Sequence, residues 1–326
     1  QKNAFVSRFQ GGLRVASADF DGDGFIDVVT VPGGAPASSS GETGLPDANK
    51  VFGDTLRVVT IYNGNPNGSW KSTSFDVGGL FDGAPTPGSV GNSGTYSDGF
   101  VVTTGNVLLD APGSDNAVPE IVIASSGASM HRAVVLDVTR TARGEKPAIG
   151  KSFSRVGTDL AGVITGVTTG PFTAFQKKSM LNAGETLTSD DKRSDILFAT
   201  STAGAGDWSS ESTALKPATI TLFSPVPGNA FIRGVSFPIV AKVLNGPTAN
   251  KGVLQNAFLY GAALAVGDID DDAPGQPDLV LGAGSMGMSN FRVIPGDAVV
   301  AGNATEIGKY LNYDAPNTDP SYRRFL

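Results

Sequence analysis

Asp19, Asp21, Asp23 and Asp27 place four carboxylates within nine residues, at relative positions 1, 3, 5 and 9. Gly22 and Gly24 lie between them, where the backbone must turn sharply. Carboxylates packed this closely repel one another unless a cation sits among them. A hard divalent ion suits such a site: Ca2+ takes about 6–8 oxygen ligands at about 2.3–2.6 Å. With the main-chain carbonyl of Phe25 at position 7, the stretch predicts a Ca2+ cage. The helix–loop–helix calcium hand is the nearest competing motif, but it needs a bidentate Glu at position 12 and flanking helices. Position 12 here is Thr30, within the β-branched run Val28-Val29-Thr30-Val31. The loop therefore opens a strand. The plain alternative is a solvated acidic turn.

The pattern recurs once. Asp268, Asp270 and Asp272 repeat positions 1, 3 and 5, and Asp278 precedes Leu279-Val280-Leu281. The insert Ala273–Pro277 lengthens this loop by two residues and leaves its carbonyl ligand open, with Gln276 as the candidate. The sequence thus predicts two Ca2+ sites. A third, degenerate loop around Asn106, Asp110 and Glu120 has Leu108 at position 3 and is expected to hold no ion. A fourth counterpart, Gly166–Gly170, carries no carboxylate before Asp195.

The elements that must carry these loops are strands. Apolar runs of four to eight residues recur between clusters of Gly, Pro, Asn and Ser, and long helical periodicity is absent. Four segments begin with an acid and continue as an apolar strand: Asp27–Val31, Glu120–Ala124, Asp195–Ala199 and Asp278–Leu281. Each follows a short strand (Leu13–Ala16, Phe100–Thr103, Val163–Val167, Ala262–Val266) and leads into a second (Leu56–Tyr62, Ala133–Val138, Ala218–Phe223, Phe291–Ile294). Another strand is expected near Phe75, Phe153 and Tyr310. Four strands in each of four units is a propeller-blade pattern. The units run over about 12–97, 98–161, 162–260 and 261–326, within one domain, 1–326. Residues 1–11 read as the tail of a preceding or closing blade. The chain is therefore read as a ring or as a section of a longer array. Long polar loops interrupt units one and three, including Phe172–Arg193.

Composition supports this class. The chain has 326 residues, 43 Gly, 20 Pro and 17% charged residues, a pattern of many turns and little charge. Aspartate outnumbers glutamate 25 to 6, which favours loops over helices. A net charge of −7 with no basic block argues against nucleic acid and anionic membranes. No apolar run approaches the roughly 20 residues of a membrane-spanning helix. The absence of Cys excludes disulfides and thiolate metal sites. The opening Gln1 is read as the mark of a preceding segment that was removed or lies outside this sequence.

Asp19–Asp27 with its following strand, and Gly267–Gly284, resemble the FG-GAP/VCBS repeat family, the calcium-loop blades also found in integrin alpha-subunit propellers. Gly11–Ala18 is similar to the strand that enters such a loop, and Phe291–Gly296 to the strand that follows. The resemblance implies an all-β propeller of about four four-stranded blades, braced by metal loops. It implies no single activity. The expected function is an extracellular, calcium-stabilised structural or adhesion module at the cell surface. Its partners would be other proteins or copies of itself. The alternative is a carbohydrate-binding propeller lectin, with glycans as ligands. A hydrolase with a metal in a central channel is the third reading.

Other motifs carry less. Gly282–Gly287 spells a dinucleotide fingerprint but leads into a strand, not the helix that would hold a pyrophosphate. His131 is the only histidine and lies in a hairpin loop, so no triad or histidine zinc site is expected, and no enzymatic activity. Trp208 lies in a polar loop, where it either stacks on a ligand such as a sugar or tucks onto the fold.

Overall fold

The computed structural model describes residues 12–33, 58–64, 70–77, 80, 99–108, 118–126, 133–139, 148–156, 160, 162–180, 193–201, 218–227, 230–239, 261–269, 276–283, 290–302 and 312–314. His131 and Trp208 lie outside them.

Among the described residues, sixteen strands form four antiparallel sheets of four. Sheet one is β1 (Leu13–Ala18), β2 (Asp27–Pro32), β3 (Val58–Asn63) and β4 (Lys71–Asp76). Sheet two is β5 (Phe100–Gly105), β6 (Glu120–Ser125), β7 (Ala133–Thr139) and β8 (Ala148–Val156). Sheet three is β9 (Val163–Gly170), β10 (Asp195–Ser201), β11 (Thr219–Val226) and β12 (Ala230–Pro238). Sheet four is β13 (Ala262–Gly267), β14 (Asp278–Ala283), β15 (Asn290–Ile294) and β16 (Asn312–Asp314).

The sequence explains the order within each sheet. Central strands are buried on both faces and read as continuous apolar runs. β6 (Glu-Ile-Val-Ile-Ala-Ser) and β10 (Asp-Ile-Leu-Phe-Ala-Thr-Ser) are buried along their whole length. Edge strands are largely exposed, as in β4 and β12.

The chain divides into two compact units, Gln1–Leu160 with Pro225–Phe231, and Ala161–Ser224 with Ile232–Leu326. In the first, sheets one and two share an apolar core around Phe20, Val29, Ile61, Phe100, Ile121 and Leu136. β1 lies alongside β5, and Thr104 Oγ1 donates to the Ser17 carbonyl at 2.8 Å. In the second, a core around Phe172, Leu197, Ile220, Phe237, Leu279 and Ile294 joins sheets three and four. There β9 lies alongside β13.

The propeller expectation is overturned. Each sheet takes four strands consecutive in the chain, and the sheets share apolar cores in pairs, one with two and three with four. Among the described residues no strand returns to close the sheets into a ring, and no sheet closes on itself. The physical reason lies in the cores. A sheet must cover its apolar face with another layer. Here two sheets in each unit do so over a shared core, and no closing strand is required. The readings built on a ring fall with it: the FG-GAP blade as a description of the fold, the adhesion or assembly face, the sugar seat between blades, and the channel metal of a hydrolase.

Two helices also depart from the sequence reading. Phe172–Met180, expected as loop, is a helix (α1), and Gly296–Ala301 forms a second (α2). Phe172 and Ala174 are buried, and Asp195 accepts bonds from the Thr173 N–H and hydroxyl at 2.7 and 2.8 Å. A carboxylate at the first turn of a helix meets otherwise unpaired N–H groups and the positive end of its dipole. The acid that begins β10 is 22 residues further along the chain, too far for local pattern to reveal it.

Thr165 joins β9 to β13, accepting a hydrogen bond from the Ala262 N–H at 3.1 Å. Beside it Gly261 takes φ +99°, and a Cβ there would run into the Thr165 side chain. Gly261→Ala is therefore expected to destabilise the protein. The backbone conformation alone costs a non-glycine residue about 1–3 kcal/mol, and displacement of Thr165 adds to that. Urea denaturation of the variant measures it. A change within about 0.5 kcal/mol, the range of an inert surface substitution, would contradict the packing described.

Candidate metal centre

The β1–β2 loop is built from side chains that bond to their own backbone. Asp23 N–H donates to Asp21 Oδ1 (3.1 Å), Phe25 N–H to Asp23 Oδ1 (2.8 Å) and Gly24 N–H to Asp19 Oδ2 (3.0 Å). These are turns of the kind short acidic side chains favour. Gly22 and Gly24 take φ of 68° and 92°. Phe20 is buried in the core and anchors the loop, while Phe25 and Ile26 at its tip are exposed.

Asp27 ties the loop down. It begins β2, is fully buried, and both its oxygens accept backbone N–H bonds at 2.8 Å, Oδ2 from Phe20 and Oδ1 from Gly64. The same device appears in every sheet. Glu120 Oε2 accepts from Val107 and Leu108 (2.8 and 3.0 Å), and Asp278 Oδ2 accepts from Ile269 (2.7 Å). Asp195 accepts from Thr173 as described. An acid that opens the second strand of a sheet thus satisfies the buried N–H groups of the segment leading out of the first. This structural duty is shared by four acids, only two of which belong to the expected cages.

The loop also gathers charge. One carboxylate oxygen each from Asp19, Asp21 and Asp27 lies within 4.8 Å of the other two. Asp21 and Asp27 are buried, and Asp19 is partly so. Asp19 Oδ1 is buried without a hydrogen-bond partner. From β3, Asn63 reaches in: its Nδ2 donates to Asp21 Oδ2 at 3.2 Å. Burial pushes the Asp27 carboxyl up to about 6, against the opposing pull of the Gly64 and Phe20 N–H groups. Asp21 is also raised, chiefly by burial, with the charges of Asp23 and Asp19 adding to it. Such a cluster is able to coordinate a cation: three oxygens this close can share one ion at Ca–O distances of about 2.3–2.6 Å.

No protein-family model matches this chain, and no curated protein matches it. What the loop does rests on its own chemistry.

Of the residues expected to ligate at the first site, the structure brings together Asp19, Asp21 and Asp27. Asp23 is not among the clustered carboxylates, and its Oδ1 faces the Phe25 N–H. The side chain of Phe25 is exposed. At the second site Asp278 and Gln276 are buried and Asp268 is exposed, while Asp270 and Asp272 lie outside the described residues. At the degenerate loop Glu120 holds backbone N–H groups, and Asp110 lies outside the described residues. Asn63 escaped the sequence reading. Its one signal was Asn63-Gly64 at a strand end, which reads first as a turn.

Proposed function

We propose that the β1–β2 loop binds a Ca2+ ion through Asp19, Asp21 and Asp27, and that the ion's role is structural. The observation that carries this reading is the convergence of three carboxylates with a buried, unpartnered oxygen on Asp19. An oxygen-only donor set favours Ca2+, Mg2+ or Mn2+ over softer metals. An irregular loop suits Ca2+ better than Mg2+, which demands near-ideal octahedral geometry and keeps its waters. Bound there, the ion neutralises the mutual repulsion of the acids and fixes the segment joining β1 to β2. A second ion at Asp268, Asp270, Asp272 and Asp278 rests on the motif alone. Extracellular modules hold Ca2+ with a Kd of about 10⁻⁴–10⁻³ M. In that range the site fills where free calcium is millimolar, and we read the working environment as extracellular.

Thermal unfolding with Ca2+ and with EDTA tests the proposal. At a free concentration about 100 times Kd the bound ion adds about 2.7 kcal/mol. For units of this size that raises Tm by roughly 5–10 °C, at about 2–4 °C per kcal/mol. A Tm unchanged by Ca2+ would overturn the reading.

A further inference from the structure

We infer that Asn63 supplies a further oxygen ligand to the ion, so that β3 as well as the β1–β2 loop is fastened by it. The inference rests on the calcium site proposed above and deepens it.

Asn63 is the last residue of β3, paired with Lys71 on β4. It is 7% exposed, so its side-chain amide is closed off from water. Nδ2 donates to Asp21 Oδ2, one carboxylate of the cluster, yet Oδ1 is buried and accepts no hydrogen bond. A buried amide oxygen without a partner is costly and calls for an explanation. The other atom in this state within the loop is Asp19 Oδ1. Two residues beside Asp21, Asp19 in the carboxylate cluster and Asn63 through its Nδ2 bond, thus each carry a buried oxygen without a partner, a lack that a hard cation at the cluster would answer. Asparagine carbonyl oxygens are ordinary Ca2+ ligands. A half-turn of the planar amide exchanges Nδ2 and Oδ1 at nearly constant shape. The oxygen then takes the position now 3.2 Å from Asp21 Oδ2. The backbone already brings β3 to the loop. Gly64 N–H bonds to Asp27, and a Cβ at Gly64 would collide with the Ile26 carbonyl. Asn63 is thus held where a fourth protein ligand can complete the set from outside the sequence motif.

Calcium binding to the intact chain, measured by isothermal titration with Asn63→Ala and Asn63→Asp beside the unsubstituted protein, tests this. The expected result is at least a tenfold weaker Kd for Asn63→Ala. Asn63→Asp, which keeps an oxygen but cannot donate to Asp21, is expected to bind within threefold of the unsubstituted protein or tighter, with a lower Tm in EDTA. A residue that merely positions Asp21 would give the opposite result for the aspartate variant, because the donor is lost and a repulsive charge gained. If Asn63→Ala does not fold, the aspartate variant decides alone: more than tenfold weaker binding overturns the inference. Unsubstituted protein that binds, with Asn63→Ala within twofold of it, overturns the inference and leaves the calcium site standing. No binding to the unsubstituted protein overturns both.

Discussion

Asp27→Ala is expected to be among the most damaging single substitutions in the first unit. The side chain is fully buried and its two oxygens receive the Phe20 and Gly64 N–H groups. Removing it strands two buried donors, each costing about 1–3 kcal/mol, for a total of about 2–6 kcal/mol. This loss is independent of any ion, so it is expected in EDTA as well as in Ca2+. Asp27→Asn keeps one acceptor oxygen and loses the other, so about half the penalty is expected. It also removes a charge needed to hold a cation, and the Ca2+-dependent increment of Tm should disappear. Urea denaturation at pH 7 with and without Ca2+ separates the two effects. If Asp27→Ala unfolds within about 0.5 kcal/mol of the unsubstituted protein, the clasp is not what holds the loop.

The second large effect is on pH. An ordinary Asp titrates near 3.8, whereas the buried Asp27 carboxyl stands at about 6. Between those values the folded protein without Ca2+ holds a proton that the unfolded chain has released. Its contribution to stability is therefore full below the lower value and is lost as pH rises through the higher one. Calcium binding as proposed is expected to reverse the trend, because the ion needs the ionised carboxylate and must displace the proton. Above pH 6 the site is ready. Below it the apparent Kd is expected to weaken about tenfold per pH unit, as for any single-proton competition. Calcium isotherms at pH 7 and pH 5 should differ by about that factor, with proton release in the lower-pH titration. An affinity unchanged between them would show that Asp27 is not displaced from its proton by the ion.

Much of the local structure was legible. The acid-then-apolar segments at Asp27, Glu120, Asp195 and Asp278 all open strands, because a doubly buried strand must be continuously apolar and its first residue faces the incoming loop. The cluster of Asp19, Asp21 and Asp27 was legible too, since spacing within nine residues fixes it locally. Four things were not. The ring was inferred from a repeat count, but a count of four-stranded units does not say how they cover one another's apolar faces. The structural duty of the strand-opening acids went unread: Asp27 and Asp278 were taken for metal ligands alone, because the backbone donors they serve carry no side-chain signature. Helix α1 was missed for the same reason: Asp195, which meets its first turn, comes from the next strand. Asn63 lies 36 residues beyond Asp27, where only the folded sheet brings it to the loop.

One divalent ion is expected to sit between Asp19, Asp21 and Asp27. A crystal structure of the full chain grown in millimolar Ca2+ tests it most directly. A single strong density peak bounded by oxygens of these three residues at about 2.3–2.6 Å is expected. A loop of the same shape holding only water at hydrogen-bond distances, at that concentration, would contradict it.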